Sequence, residues 1–200
     1  GFRMSFLLGL TGSIGMGKST TARLFLEHGC RIWNADGAVH EAYSVNRTAV
    51  TQLSKIAPTS ILDGCVDRRL LRKLISNDPT LLSKVEAIIH PIVEKSRQSF
   101  TKKYPKDILV FDIPLLFETG SQDQFDAIAC VLIDYKTQLE RVLARKNMTK
   151  SHFDLIFSKQ LPAIQKANRA DYVIDTSTPS SAKSSVIKII TDIKKRLKDA

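Results

Sequence analysis

The sequence predicts an α/β fold built on a doubly wound parallel sheet, and three observations predict it. Five short apolar runs alternate with longer segments of helical periodicity. A glycine-rich loop joins the first run to the first helix without a spacer. Acidic residues, Asp36 and Asp112, follow or end two further runs. Such sheets bind ligands beyond the carboxyl ends of their strands, so the loop and both acids converge on one edge.

Residues 6–10, Phe-Leu-Leu-Gly-Leu, form the first strand. The helix that follows covers residues 20–27 and closes at His28-Gly29. Residues 30–34 make a second strand that ends in Ala35-Asp36. From 37 to about 103 the pattern is mainly helical, broken at Pro58, Asp63-Gly64 and Asp78-Pro79. His90-Pro91 interrupts or opens a helix there, because proline is tolerated only in a helix's first turn. Residues 108–112 are near-continuously apolar, as a central parallel strand should be. Strands four and five fall at 128–133 and 172–174. A Ser/Thr-rich loop over 176–185 leads into a last helix, where Val186, Ile189, Ile190, Ile193 and Leu197 share one face.

Two hundred residues suit one domain, here residues 4–199, with Gly1-Phe2-Arg3 set aside as a cloning remnant before Met4. The hydrophobic fraction of 43% and charged fraction of 25% are those of a globular protein, and no apolar run nears the ~20 residues of a membrane span. We therefore expect a cytoplasmic protein with no membrane partner. Three cysteines, widely spaced and without a C-x-x-C pair, indicate neither zinc nor a disulfide framework. The net charge of +10 raises the question of nucleic acid. Much of the excess lies on the polar face of the last helix, with no zinc-finger or RNP-type motif beside it, so a nucleic-acid partner is not expected.

Gly12-Ser13-Ile14-Gly15-Met16-Gly17-Lys18-Ser19 fits G-x-x-x-x-G-K-[ST]. The bare pattern arises by chance in roughly one chain in a hundred of this length. Between a strand and a helix it builds an anion cradle, with backbone N–H groups turned inward and the helix N-terminus adding partial positive charge. The nucleotide-binding set is Gly12, Ser13, Ile14, Gly15, Met16, Gly17, Lys18, Ser19 and Thr20. Lys18 reaches the β- and γ-phosphates of ATP, and the Ser19 hydroxyl is a ligand for Mg²⁺. Asp112 ends its strand as a Walker-B acid does and is the second metal candidate; a turn-forming Asp ahead of Pro114 is the alternative. Asp36 stands where an acceptor hydroxyl would meet the γ-phosphate, although Asp before a helical run is also a favoured N-cap. Arg141 and Arg145, four apart on a helix, share a face that can meet the charge of a transferring phosphoryl group. His90 is either a helix cap or a substrate contact, and Arg97 and Leu115 join it in the candidate acceptor set.

These residues resemble one family over nearly the whole chain, the dephospho-coenzyme A kinases. The resemblance runs through Gly9-Leu10-Thr11-Gly12 to Thr20, Asn34-Ala35-Asp36, residues 68–77, Ile89-His90-Pro91 and Asp112-Ile113-Pro114-Leu115-Leu116-Phe117-Glu118. It continues in residues 138–145, Gln160 and residues 170–175. The resemblance implies transfer of the γ-phosphoryl of ATP to the ribose 3′-hydroxyl of dephospho-CoA. It also implies a three-layer P-loop fold with a five-stranded sheet of order 2-3-1-4-5. The core would be 4–36 and 104–199, a helical acceptor-binding insertion 37–103, and a lid about 141–168, in a monomer or weak homo-oligomer. Asp36 matches the Asp that the family uses as catalytic base. Asn34 departs from the family's D-A-D, and Thr176 stands where Asn is frequent. Residues 44–62 are shorter than the family's usual stretch, so no acceptor contact is carried over there. Other small-metabolite kinases share every phosphate argument, whereas a GTPase would need N-K-x-D, which Ile133-Asp134-Tyr135-Lys136 does not match.

Overall fold

A computed structural model describes residues 5–200; the tripeptide set aside above and Met4 lie outside the described residues. The chain forms two compact units, residues up to Trp33 with Tyr104–Ala200, and Asn34–Lys103.

The first unit carries β1 (Phe6–Thr11), α1 (Lys18–Glu27) and β2 (Arg31–Asn34, whose last residue belongs to the second unit). The second carries α2 (Ala35–Ser44), α3 (Arg47–Ile56), β3 (Ile61–Leu62), β4 (Cys65–Val66), α4 (Arg68–Asn77) and α5 (Thr80–Lys103). The first then resumes with β5 (Ile108–Asp112), β6 (Ala127–Leu132), α6 (Tyr135–Leu143), α7 (Lys150–Lys159), α8 (Ala163–Arg169), β7 (Tyr172–Asp175) and α9 (Pro179–Asp199).

The sheet is parallel, in the order β2-β5-β1-β6-β7, which is 2-3-1-4-5 when only its own strands are counted. Pairing of Leu10 with Asp112 and of Thr11 with Cys130 fixes where the central strands end. Every residue of β5 is buried, the reason its sequence reads as apolar without alternation. Alternate residues of β6 serve opposite faces. Ala127, Ala129 and Val131 join Phe25 of α1 and Val186, Ile189 and Ile193 of α9; Ile128 packs with Leu116 and Phe117.

The helical unit has its own core, with Ala42, Leu53, Leu71, Val85 and Ile89 from four helices. Two expectations need correction here. The region read as mainly helical contains the β3–β4 hairpin, whose turn places both Asp63 (φ 49°) and Gly64 (φ 76°) in the left-handed region that a two-residue turn requires. The expected helix break at His90-Pro91 is absent, because α5 runs through Pro91. An interior proline costs about 3 kcal/mol. Val85 and Ile89 before it, with Ile92 and Val93 after it, pack into one core and hold the helix together across it.

Candidate active site

The phosphate loop leaves β1 at fully buried Thr11 and enters α1 at Lys18. Gly15 has φ 74°, and a Cβ there would stand 2.3 Å from Val142 Cγ2, so both backbone and packing demand glycine. No side chain caps α1, and no acidic residue stands in its first turn. Its leading N–H groups therefore face outward as ready anion donors. Ser13 and Met16 are buried, whereas Ser19 and Thr20 are exposed on the first turn.

Lys18 Nζ donates to Asp112 Oδ1, joining the loop to the carboxyl end of β5. Asp112 is the last residue of β5 and only 2% exposed, so it is a strand residue and not the turn-forming Asp of the alternative. Three side chains from outside the loop hold its backbone. Thr176 Oγ1 donates to the Met16 carbonyl at 2.5 Å, Gln138 Nε2 donates to the Ile14 carbonyl at 2.8 Å, and Gln160 Oε1 accepts from the Ile14 N–H at 3.2 Å.

Arg141 of α6 and Arg145, two residues past the end of that helix at Leu143, line a cavity of about 340 Å³ with Gly15, Gly17, Thr176 and Pro179, which corrects the expectation that the two arginines share one helical face. They are not equivalent within it. Arg141 Nη2 donates to the carbonyls of Thr176 (2.9 Å) and Ser177 (3.4 Å), pinning the loop between β7 and α9, whereas Arg145 is exposed. Below the cradle, Lys166 is fully buried and pairs with Glu118 Oε2 at 2.8 Å. Lys166 Nζ also donates to the Pro114 carbonyl (3.2 Å), which accepts from Thr11 Oγ1 as well (3.0 Å). Glu118 Oε2 further accepts from the Leu161 N–H at 3.1 Å.

With this arrangement in view, the dephospho-CoA kinase family model matches residues 6–182. The chain belongs to the dephospho-CoA kinase family. It is 47% identical over 191 residues to a dephospho-CoA kinase of Ruegeria pomeroyi, covering 96% of this chain and 97% of that one. It is similar in structure to TT1252 of Thermus thermophilus, with TM-score 0.85, 26% identity and coverage of 95% and 98%. A dephospho-CoA kinase of Campylobacter jejuni, 23% identical over 96% of this chain and 98% of that one, shares the fold with TM-score 0.70.

The other candidate residues lie on different elements. Asp36 is exposed in the first turn of α2 and is not its cap; Asn34 is, accepting from the Gly37 N–H at 2.7 Å. Asparagine caps a helix as well as aspartate does, so the departure from D-A-D preserves this local role. His90 is exposed in the interior of α5, which rules out helix capping. Arg97 makes a two-pronged contact with Glu94, at 3.0 and 2.8 Å, and Leu115 is 41% exposed beyond β5. The Arg97 guanidinium holds the Glu94 carboxyl below its usual range. Among the described residues no helix is long and apolar enough to cross a membrane.

Sequence reasoning gave no role to Gln138, Gln160, Thr176, Glu118 or Lys166. The first four fall inside, or at a noted departure from, the stretches that carry the family resemblance, so a signal existed without a physical meaning. Lys166 had none: a single lysine on a short helix looks like surface.

Proposed function

We propose that the protein transfers the γ-phosphoryl group of ATP to the ribose 3′-hydroxyl of dephospho-CoA. One observation carries this reading beyond family membership: Lys18, Arg141 and Arg145 all stand at a phosphate loop whose helix end has been left uncapped. In our reading the triphosphate takes the loop N–H groups and Lys18, and the rest of the nucleotide occupies the cavity under Arg141 and Arg145.

In the transfer, a bond forms between the acceptor oxygen and the γ-phosphorus while the bond to the β–γ bridging oxygen breaks, releasing ADP. Asp36, two residues beyond β2, orients the acceptor hydroxyl and receives its proton. Lys18 offsets charge on the β- and γ-oxygens. Arg145 is the better candidate for the transferring phosphoryl group, since Arg141 already serves the β7–α9 loop. Ser19 and Asp112 offer only hard oxygen donors. That donor set fits Mg²⁺, which keeps few protein ligands and takes the rest from phosphates and water. When bound, the ion would neutralise charge developing on the β- and γ-phosphate oxygens.

The test is a coupled assay with ATP and Mg²⁺ across acceptors. Dephospho-CoA should be converted to CoA; equal or better turnover of shikimate, adenosine or a nucleoside monophosphate would overturn the assignment. Asp36→Asn should lower kcat about 10²- to 10⁴-fold with ATP affinity unchanged. Collapse of ATP affinity with kcat preserved would make Asp36 a metal or structural residue instead.

A further inference from the structure

The glycines that let the phosphate loop curl around an anion also leave it free to turn over. Gly15 tolerates either sign of φ, so the Ile14–Gly15 peptide can rotate and present a carbonyl oxygen to the cradle where an N–H is needed. Two glutamine side chains oppose that rotation. Gln138, only 1% exposed on α6, donates through Nε2 to the Ile14 carbonyl at 2.8 Å. All peptide bonds among the described residues are trans, so with that carbonyl drawn toward α6 the Gly15 N–H points the opposite way. Gln160, at the end of α7, accepts from the Ile14 N–H at 3.2 Å and fixes the preceding peptide plane.

Both anchors are themselves held. Val142, fully buried one helical turn beyond Gln138, is the side chain against which Gly15 lies. α6 is capped by Asp134, which accepts from the Thr137 N–H at 2.9 Å. The turn that carries Gln160 is fixed one residue later, where the Leu161 N–H meets Glu118 of the buried Lys166 pair. The loop is thus gripped from two separately anchored elements.

We propose that Gln138 and Gln160 are positioning residues for nucleotide binding, which lock the peptides on either side of Ile14 so that the loop presents N–H groups to ATP. The inference rests on the reading of this loop as the ATP phosphate site. The test is direct titration of the whole protein with Mg·ATP and no acceptor, so that an error about the acceptor leaves it standing. Gln138→Met keeps size and burial but removes the donor, and Gln160→Met removes the acceptor. Each should weaken ATP binding about three- to tenfold, the share of one neutral hydrogen bond. The KM for ATP should rise accordingly, while the KM for dephospho-CoA stays near wild type; a fall in thermal midpoint should be larger for Gln138→Met, which leaves the Ile14 carbonyl without its buried donor. Because both side chains lock one residue, the double variant should lose less than the product of the single losses. Unchanged ATP binding in both variants would overturn the inference, as would equal rises in both KM values. If Gln138→Met fails to fold, the half-buried Gln160→Met still decides between these outcomes. Wild-type protein that binds no Mg·ATP would overturn this inference and the underlying reading together.

Discussion

Lys18 and Lys166 each meet a carboxylate from the same seven-residue run, Asp112 to Glu118, yet the two pairs are built for different ends. Lys166 is fully buried, and its ammonium is shared between Glu118 and the Pro114 carbonyl. Lys18 keeps 15% of its side chain exposed, at the mouth of a helix end without a cap, and pairs with Asp112. An ammonium has three donors; Lys166 gives two of them to Glu118 and the Pro114 carbonyl with no solvent exposure, whereas Lys18 is open to solvent and to incoming phosphate oxygens. The same residue types in the same run thus give one pair that a polyphosphate can join and one that nothing can enter. What distinguishes them is the surroundings of the ammonium and not the pairing itself.

The sharpest way to break this comparison is Lys166→Met. Removing one partner of a buried pair leaves an uncompensated charge, and urea denaturation should show a loss of about 3–5 kcal/mol. Turnover per folded molecule should change little. Combining it with Glu118→Leu should recover much of that loss, because two apolar side chains can replace a buried pair. A Lys166→Met protein of wild-type stability but without activity would mean that Lys166 belongs with Lys18.

Lys18→Met should do the reverse. The transferring phosphoryl group loses a fixed positive charge, and kcat/KM should fall at least about 10²- to 10³-fold. Asp112 loses its partner, so some stability goes too, but less than at Lys166, since solvent reaches the Lys18 side. Equal unfolding costs for the two variants, measured in the same urea series, would erase the distinction drawn between the pairs.

Much of this was legible in the sequence, and what was not has a physical pattern. The sheet strands announced themselves because burial on both faces removes polar residues from them, as in residues 108–112. The phosphate loop was legible because Gly15 meets a backbone and packing requirement that only glycine satisfies, at a fixed spacing from Lys18. The β3–β4 hairpin was missed because two-residue strands carry no periodicity, and only Asp63-Gly64 marked it. Pro91 misled because local cost was weighed without the packing around it. Gln138, Thr176 and Lys166 act through contacts with residues 124, 160 and 52 positions away, and no local pattern encodes such distances. Asp36 and Asn34 show the limit at an element boundary: a two-residue difference in where α2 begins decides which is the cap.

The smallest expected effect uses Cys130, a fully buried thiol that reports on the Lys166 pair. Burial pushes it up to about 11; the nearby Lys166 charge pulls it down and Glu118 pushes it up. A group whose folded pKa lies above its unfolded value contributes stability that is complete below the unfolded value and is lost as pH rises through the folded one. With an ordinary thiol near 8.5, the window runs from there to about pH 11. Cys130→Ala should therefore show a flatter alkaline decline over that window, by at most about 3 kcal/mol. It should not abolish the decline, because Cys30 is likewise pushed up to about 11 by burial. Lys166→Met removes the charge that pulls Cys130 down and should steepen the decline, whereas Lys18→Met should leave its slope unchanged. Parallel urea titrations from pH 8 to 11 read all three. A change of slope in Lys18→Met as large as that in Lys166→Met would show that the two pairs share one electrostatic environment, and the contrast between them would fail.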